Sequence, residues 1–419
     1  MLPIEMLARR IKYKLLHGHG ISRVHLLSCC GFLITLLLTL AMLAPIIFYF
    51  SPSVQDYLIF KASTDFAPEL ASPGLLGLHN TRSFYITTPE GIKLGAWHIL
   101  PTAAAPPSGP ETIVSRGNRF ERELGKEGSV VVVYYHGNKP SRAMDHRVQL
   151  YKLLANIGCH VFAFDYRSYA DSSVAELTEE GLVMDGVAAY DYVKSRTGPG
   201  TAVLLWGHSL GTGVASSVAA SLCSRGGKQH CADGLVIHSG FTDLLHAVLD
   251  SKMAMNMRWV PWFEPLIAAA LSSRKLQLNT RSSISRVSCP VLILHAQDDV
   301  VIPLQHARLL QSTATARNGA GGAGGVGPGG AGGVTYVEFS GDLGYGHNHI
   351  VNAPELTSIV SEYIQHCREY HQAVEEEQLQ QEIILLPLKQ HVKQLPQPLR
   401  LRIKAGGQKQ LRQRRAAFR

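Results

Sequence analysis

AVLLWGHSLGTGVASSVAAS, residues 202–221, reads as a strand, a sharp turn and a helix without interruption. An apolar run of strand length leads into Gly207-His208-Ser209-Leu210-Gly211, and small residues of helical character follow. The pattern Gly-x-Ser-x-Gly suits a serine held in a strained strand-to-helix turn, its hydroxyl pointing outward. The flanking glycines let neighbouring backbone approach where a Cβ would clash. Ser209 is therefore the candidate nucleophile. The structural alternative is a serine that merely starts a helix.

Outward from this stretch, short apolar runs alternate with helix-length amphipathic ones. The runs are VVVVYY (130–135), HVFAFDY (160–166), AVLLWG (202–207), LVIHS (235–239), VLILHA (291–296) and VTYVEF (334–339). Helical candidates lie at 146–156, 178–195 and 210–225. Strands apolar on both faces and separated by helices indicate a mainly parallel sheet in an α/β fold. Residues 84–100 read as two strands around a Glu90-Gly91 turn, and 101–128 as a surface loop or insertion. Residues 241–288 are long, apolar and helical in pattern, with no strand of their own. This segment reads as a lid over the catalytic edge, and its Met253, Met255, Met257, Trp259, Trp262 and Phe263 suit a flexible acyl chain; the structural alternative is that they only cover the sheet. Residues 317–333 are too glycine-rich to pack a core.

An attack by Ser209 on a carbonyl creates an oxyanion, which preorganised N–H donors must stabilise. The Leu210 amide is one donor. The other should come from the loop after VVVVYY, where Tyr135-His136-Gly137-Asn138 stands. Asn138 is preferred, then Gly137, and His136 reads as a brace. Acid and base should follow the serine in that order. Asp299, after VLILHA and four residues before Pro303, suits the acid; Asp298 and Asp243 are the alternatives, and helix capping is the structural role open to the pair. The last strand leads to DLGYGHNH, in which His347 is the candidate base and His349 the alternative. A His-x-His pair without a third suitably spaced ligand is weak as a metal site. This chemistry needs no metal or cofactor.

The chain has 419 residues, 46% apolar and 17% charged, enough for a sizeable core. Its net charge of +8 belongs to the ends. Ten Lys and Arg and no acid follow Glu382, five basic residues oppose Glu5 before residue 26, and the stretch between is net acidic. Nucleic acid is not the expected partner. Leu26 to Phe50 is 25 residues without a charge. As a helix it spans a ~30 Å hydrocarbon core, and it exceeds the apolar region of a cleaved signal peptide. Arg9, Arg10, Lys12, Lys14 and Arg23 precede the span, while Asp56, Lys61 and Asp65 follow it. The positive-inside rule then sends everything after Phe50 across the membrane, a single-pass type II arrangement. Cys223 and Cys231 bracket a short loop and fit a disulfide or two free thiols equally well.

The expected organisation follows. Residues 1–25 form a basic cytosolic segment and 26–50 a signal-anchor. Residues 51–128 form a juxtamembrane region with the strand pair and insertion. The catalytic domain spans 129–370, with a lid at 241–288 and the glycine-rich insert at 317–333. A basic, Gln-rich tail spans 376–419.

HGN (136–138), DHRVQLYKLL (145–154), FDYR (164–167), WGHSLGTGVA (206–215), SCPVLILHAQDD (288–299) and DLGYGH (342–347) together resemble one family. It is the membrane-anchored lysophospholipid and monoacylglycerol lipases, α/β-hydrolase domain-containing protein twelve and relatives, over 130–365. The resemblance implies an α/β-hydrolase fold with Ser209, Asp299 and His347 as the triad, and it prefers His347 over His349. It also implies an endoplasmic reticulum membrane protein with a lumenal site, acting on lysophosphatidylserine and monoacylglycerols. The family's small-residue loop is here Lys139-Pro140-Ser141, its glycines after DYR are Ser168 and Ala170, and its ESPF-like turn reads His238-Ser239-Gly240-Phe241. For an anionic headgroup, Lys139, Arg142, Arg147 and Arg167 are the candidate cations, and Arg147 and Trp262 stand as candidate substrate contacts. A thioesterase acting on acylated cysteines is the rival if the catalytic domain is cytosolic; a catalytically silent scaffold is the second.

Overall fold

The computed structural model describes residues 23–64, 67–104, 112–226, 230–319 and 333–394. Each expected apolar run forms a strand. These are β1 (Thr81–Thr87), β2 (Lys93–Ile99), β3 (Val130–Tyr135), β4 (His160–Phe164), β5 (Ala202–His208), β6 (Gly234–His238), β7 (Val291–Ala296) and β8 (Val334–Phe339). They join in the order β1-β2-β4-β3-β5-β6-β7-β8. β2 runs antiparallel to both neighbours, and the pairs from β4 to β8 are parallel. The β1–β2 turn is the expected one: Gly91 has φ +85° and donates its N–H to Thr88 O at 2.9 Å. Every residue of β3 to β7 is buried, as strands covered by helices on both faces require.

The described residues fall into two compact units, one containing residues up to Lys61 with Leu245–Gln277, the other Ala62–Leu244 with the residues from Leu278. In the second unit, the helices Asp145–Asn156, Glu179–Lys194 and Leu210–Ser224 alternate with the strands. Trp97, Trp206, Tyr134 and Tyr151 are completely buried in its core. Full burial of an aliphatic core side chain such as Leu154 contributes about 1.5–3 kcal/mol.

Two stretches differ from the sequence reading. Part of the expected loop at 101–128 is a helix, Ile113–Leu124. Thr112 caps it by accepting the Ser115 N–H at 3.1 Å, and Phe120 and Leu124, one turn apart, are both wholly buried. Dense surface charge around two apolar positions hid the amphipathic pattern. Similarly, the Gln-rich start of the tail continues the last helix, Leu356–Gln394. Val360, Tyr363, Ile364, Cys367 and Tyr370 bury one stripe of it, and Tyr363 Oη donates to the carbonyls of Leu235 and Pro290 at 3.1 and 3.0 Å. Past His371 no described side chain of this helix is buried; Glu, Gln and Leu sustain it by propensity. Cys223 and Cys231 form a disulfide. The basic segment 1–22, residues 320–332 of the glycine-rich insert and 395–419 of the tail lie outside the described residues.

In the first unit, helix Arg23–Phe50 contains the uncharged span, long and apolar enough to cross a membrane by length and composition. Its Pro45 and Phe48 are buried near its C-terminal end, where the chain returns with helix Phe263–Ser273 packed against it. That second helix buries Phe263, Ile267, Ala270 and Leu271, a single stripe at helical spacing. Arg274 fastens the corner, donating to Asp56 Oδ1 at 2.7 Å and Gln55 Oε1 at 3.2 Å, while Gln55 donates to Phe48 O at 2.7 Å. Of the expected lid 241–288, residues 245–277 thus belong with the apolar N-terminal helix, and helix Thr280–Ile284 belongs to the sheet's unit.

Candidate active site

The turn after β5 has the strain its sequence calls for. Ser209 adopts φ +54° and ψ −122°, a region a side chain disfavours, between the strand and helix Leu210–Ser224. Its N–H donates to His238 O at 3.0 Å, which ties the turn to β6. A Cβ on Gly207 would stand 2.6 Å from Thr212 Cα, and one on Gly211 would meet the Tyr135 carbonyl. Both glycines are thus required by close backbone approach. Ser209 itself is buried, 8% exposed.

From the far side of the sheet order, the loop after β8 brings His347 to the serine. His347 Nε2 lies 2.8 Å from Ser209 Oγ, and Nδ1 lies 2.7 Å from Asp299 Oδ2. The imidazole's Nδ1 side is therefore taken by Asp299, and the alternatives Asp298 and Asp243 stay out of that contact. Asp299 is itself aimed: its Oδ1 accepts the N–H groups of Val301 and Ile302 at 2.8 and 2.9 Å. Burial pushes its carboxyl pKa up, but the hydrogen bonds and charge of His347 and the Ile302 amide outweigh it, leaving the pKa below the ordinary value. His349 is exposed, and its N–H donates to Tyr345 O at 3.0 Å.

Two clamps on the histidine loop were not legible as such. Gly346, at φ +51°, donates its N–H to both oxygens of Asp298 at 3.0 and 2.9 Å. His208 Nε2 donates to His347 O at 3.0 Å. The paired aspartates therefore divide the work: one orients the imidazole, the other its backbone. Asp298→Asn should lower kcat about ten- to hundredfold with KM unchanged, because a misplaced base costs rate and not binding. Steady-state kinetics would decide, and an unchanged kcat would show that the loop holds itself. Around His347 lie further imidazoles: ring centres of His208 and His347 are 5.2 Å apart, of His208 and His238 4.7 Å, and of His146 and His208 5.4 Å. Burial drives the pKa of His146 and His238 down to about 3 and that of His208 well below its ordinary value, so the cluster stays uncharged.

The loop after β3 lies directly on the nucleophile, since a Cβ on Gly137 would be 3.0 Å from Ser209 Cβ. His136 is buried, and its Nδ1 donates to Gly137 O at 2.7 Å, as a brace would. The candidate cations separate sharply. Arg142 is wholly buried between Asp165 and Asp171, and Arg167 pairs with Asp185 at 2.8 Å and Glu90 at 3.1 Å. Arg147, expected to face substrate, is instead 1% exposed, its guanidinium spent on main-chain carbonyls at 137–141. Burying a cation costs free energy that hydrogen bonds offset, and here the carbonyls take both terminal nitrogens while Nε has no hydrogen-bond partner. Lys139 is exposed. Trp262 is half-buried at the start of helix Phe263–Ser273, in the other unit. Where the resemblance has glycines, Ser168 and Ala170 keep positive φ, +64° and +47°, held by Ser173 O, 2.9 Å from Ser168 N, and Ser63 O, 2.7 Å from Ala170 N.

Known proteins are similar in sequence to this chain over most of its length. A family model of the alpha/beta hydrolase fold matches residues 130–276. The lysophosphatidylserine lipase ABHD12 of Danio rerio is 33% identical over 76% of this chain and 79% of its own. Its Macaca fascicularis counterpart is 31% identical over 78% of each chain. Protein ABHD12B of Homo sapiens is 34% identical over 73% of this chain and 77% of its own. Among solved structures, an esterase of Pyrococcus furiosus aligns over 72% of this chain and 93% of its own, at 15% identity and a TM-score of 0.48. A five-residue elbow can arise by convergence, but identity sustained along about three quarters of both chains cannot, and the chain belongs to the ABHD12 family of α/β-hydrolases.

Proposed function

We propose that the chain is a membrane-anchored serine hydrolase that removes the acyl chain of lysophospholipids, lysophosphatidylserine in particular, and of monoacylglycerols. The observation that carries this is the continuous contact Ser209 Oγ to His347 Nε2 at 2.8 Å and His347 Nδ1 to Asp299 at 2.7 Å. His347 takes the Ser209 proton as Oγ adds to the ester carbonyl, and the oxyanion rests on the Leu210 and Asn138 amides. Collapse expels the glycerol oxygen, which takes the proton from His347, and leaves an acyl ester on Ser209. Water, deprotonated by the same imidazole, then attacks that ester; the fatty acid leaves and Ser209 regains its proton. Asp299 stabilises the imidazolium in both halves.

Substrate class rests on the relatives' names, lysophosphatidylserine lipase, and on Lys139, an exposed cation on the candidate oxyanion loop. A catalytic domain in the lumen of the endoplasmic reticulum is supported by the charges flanking the apolar span and by the Cys223–Cys231 disulfide, which persists in an oxidising compartment. The test is a panel of lysophosphatidylserine, lysophosphatidylcholine, monoacylglycerol and an S-acylated peptide, given to membranes carrying the chain, with protease protection of the intact vesicles in parallel. Release of fatty acid from the glycerol esters by a protected domain is expected. Cleavage of the thioester alone by an exposed domain would replace this reading with a deacylase of protein cysteines, and inertness towards every ester would leave a scaffold.

A further inference from the structure

We propose that Arg147 is a positioning residue that fixes which way the oxyanion-binding peptide faces. The inference rests on the proposed acyl transfer at Ser209. The Gly137–Asn138 peptide is trans, so its N–H and C=O point in opposite directions. Whatever holds the Gly137 carbonyl therefore aims the Asn138 N–H. Three donors converge on that one oxygen: His136 Nδ1 at 2.7 Å, Lys139 N at 2.9 Å and Arg147 Nη2 at 3.2 Å. The other arm of the guanidinium reaches the carbonyls of Ser141 and Lys139, so one side chain spans the whole loop from 137 to 141.

The loop needs such a hold. A Cβ at residue 137 would stand only 3.0 Å from Ser209 Cβ, so glycine fits closest against the nucleophile, and glycine has no Cβ to bias the peptide towards either orientation. Among the described residues the hydrogen-bond acceptors of Arg147 are all main-chain carbonyls, and its Nε is buried without a hydrogen-bond partner. A buried cation placed on backbone oxygens, with one donor left unsatisfied, is a poor stabilising device. It is a good orienting one, because the planar fork of arginine fixes the directions of its bonds to two sites, whereas the three donors of a lysine ammonium rotate freely on a flexible stem.

The test uses the full-length protein in detergent, as Arg147→Lys and Arg147→Gln, on a neutral monoacylglycerol and on lysophosphatidylserine. Misdirecting one oxyanion donor should lower kcat about 10²- to 10³-fold in both variants and on both substrates, with KM unchanged. A trifluoromethyl ketone, which binds as a tetrahedral oxyanion, should weaken by the same factor, whereas a fatty acid product should bind as before. A rise in KM confined to lysophosphatidylserine would overturn the proposal in favour of a headgroup contact, and full activity of Arg147→Lys would overturn it outright. If Arg147→Gln does not fold, Arg147→Lys, which keeps the charge and stem, decides alone, and His136→Gln tests the same carbonyl with a smaller fall in kcat expected. A folded wild-type protein that hydrolyses none of these esters would sink the parent reading, and this inference with it.

Discussion

Ser209→Ala should abolish labelling by a fluorophosphonate and lower kcat about 10⁶-fold, with the melting temperature within a few degrees of wild type. The effect is this large because Ser209 Oγ, 2.8 Å from His347 Nε2, is the hydroxyl whose proton that imidazole would take. The protein should survive the change. Alanine keeps the Cβ at φ +54°, neither adding nor relieving strain, and the Ser209 N–H that ties the turn to His238 O is untouched. Probe labelling and ester turnover, measured on the same preparation alongside thermal unfolding, separate the outcomes. Retained turnover in folded Ser209→Ala would end the serine-hydrolase reading.

The second large effect is expected at Asp299. In Asp299→Asn the Val301 and Ile302 amides can still bond to the side-chain oxygen, so the geometry should hold. The amide, however, no longer enforces a proton on His347 Nδ1, and the wrong tautomer cannot take a proton from serine. A fall in kcat of about 10⁴-fold is expected, with KM changed little. The wild-type carboxyl, with its pKa held below the ordinary carboxylate value, contributes stability that is present above its unfolded pKa and lost as pH falls through the folded one. The variant should lack that acid-side loss. Unfolding curves at a series of acidic pH values, compared with kcat at neutral pH, check both halves. Loss of stability at neutral pH as large as the loss of rate would mean that Asp299 chiefly holds the turn.

Much of this site could be read from letters because elbow chemistry is local. Gly207 and Gly211 are forced by backbone contacts two residues either side of Ser209, and the order serine, acid, histidine follows from the strand order. Asp299 was separable from Asp298 by its spacing to Pro303. What the letters withheld was where a side chain points. Arg147 and Lys139 are equally cationic in sequence, yet one is buried against carbonyls and the other meets solvent. His208 fills the variable position of the elbow, where any residue satisfies the motif, so its bond to His347 O left no trace. The helix Ile113–Leu124 escaped because a single turn's worth of apolar residues, Phe120 and Leu124, anchors it amid charge. Conversely, the helix Phe263–Ser273 was legible as apolar but not as a neighbour of residues more than 200 positions earlier.

That last pairing bears on how the protein can be handled. The apolar N-terminal helix is commonly regarded as a detachable tether, and cutting it away is the usual route to a water-soluble enzyme. Here the same helix covers Phe263–Ser273, and Asp56 and Gln55 hold Arg274. A chain started at residue 62 would retain the whole sheet with Ser209, Asp299 and His347, yet it would present to water the apolar stripe of Phe263–Ser273 that packs against the N-terminal helix. Removing this helix therefore creates a new adhesive surface, so detergent or a compensating redesign of 245–277 belongs with any truncated form.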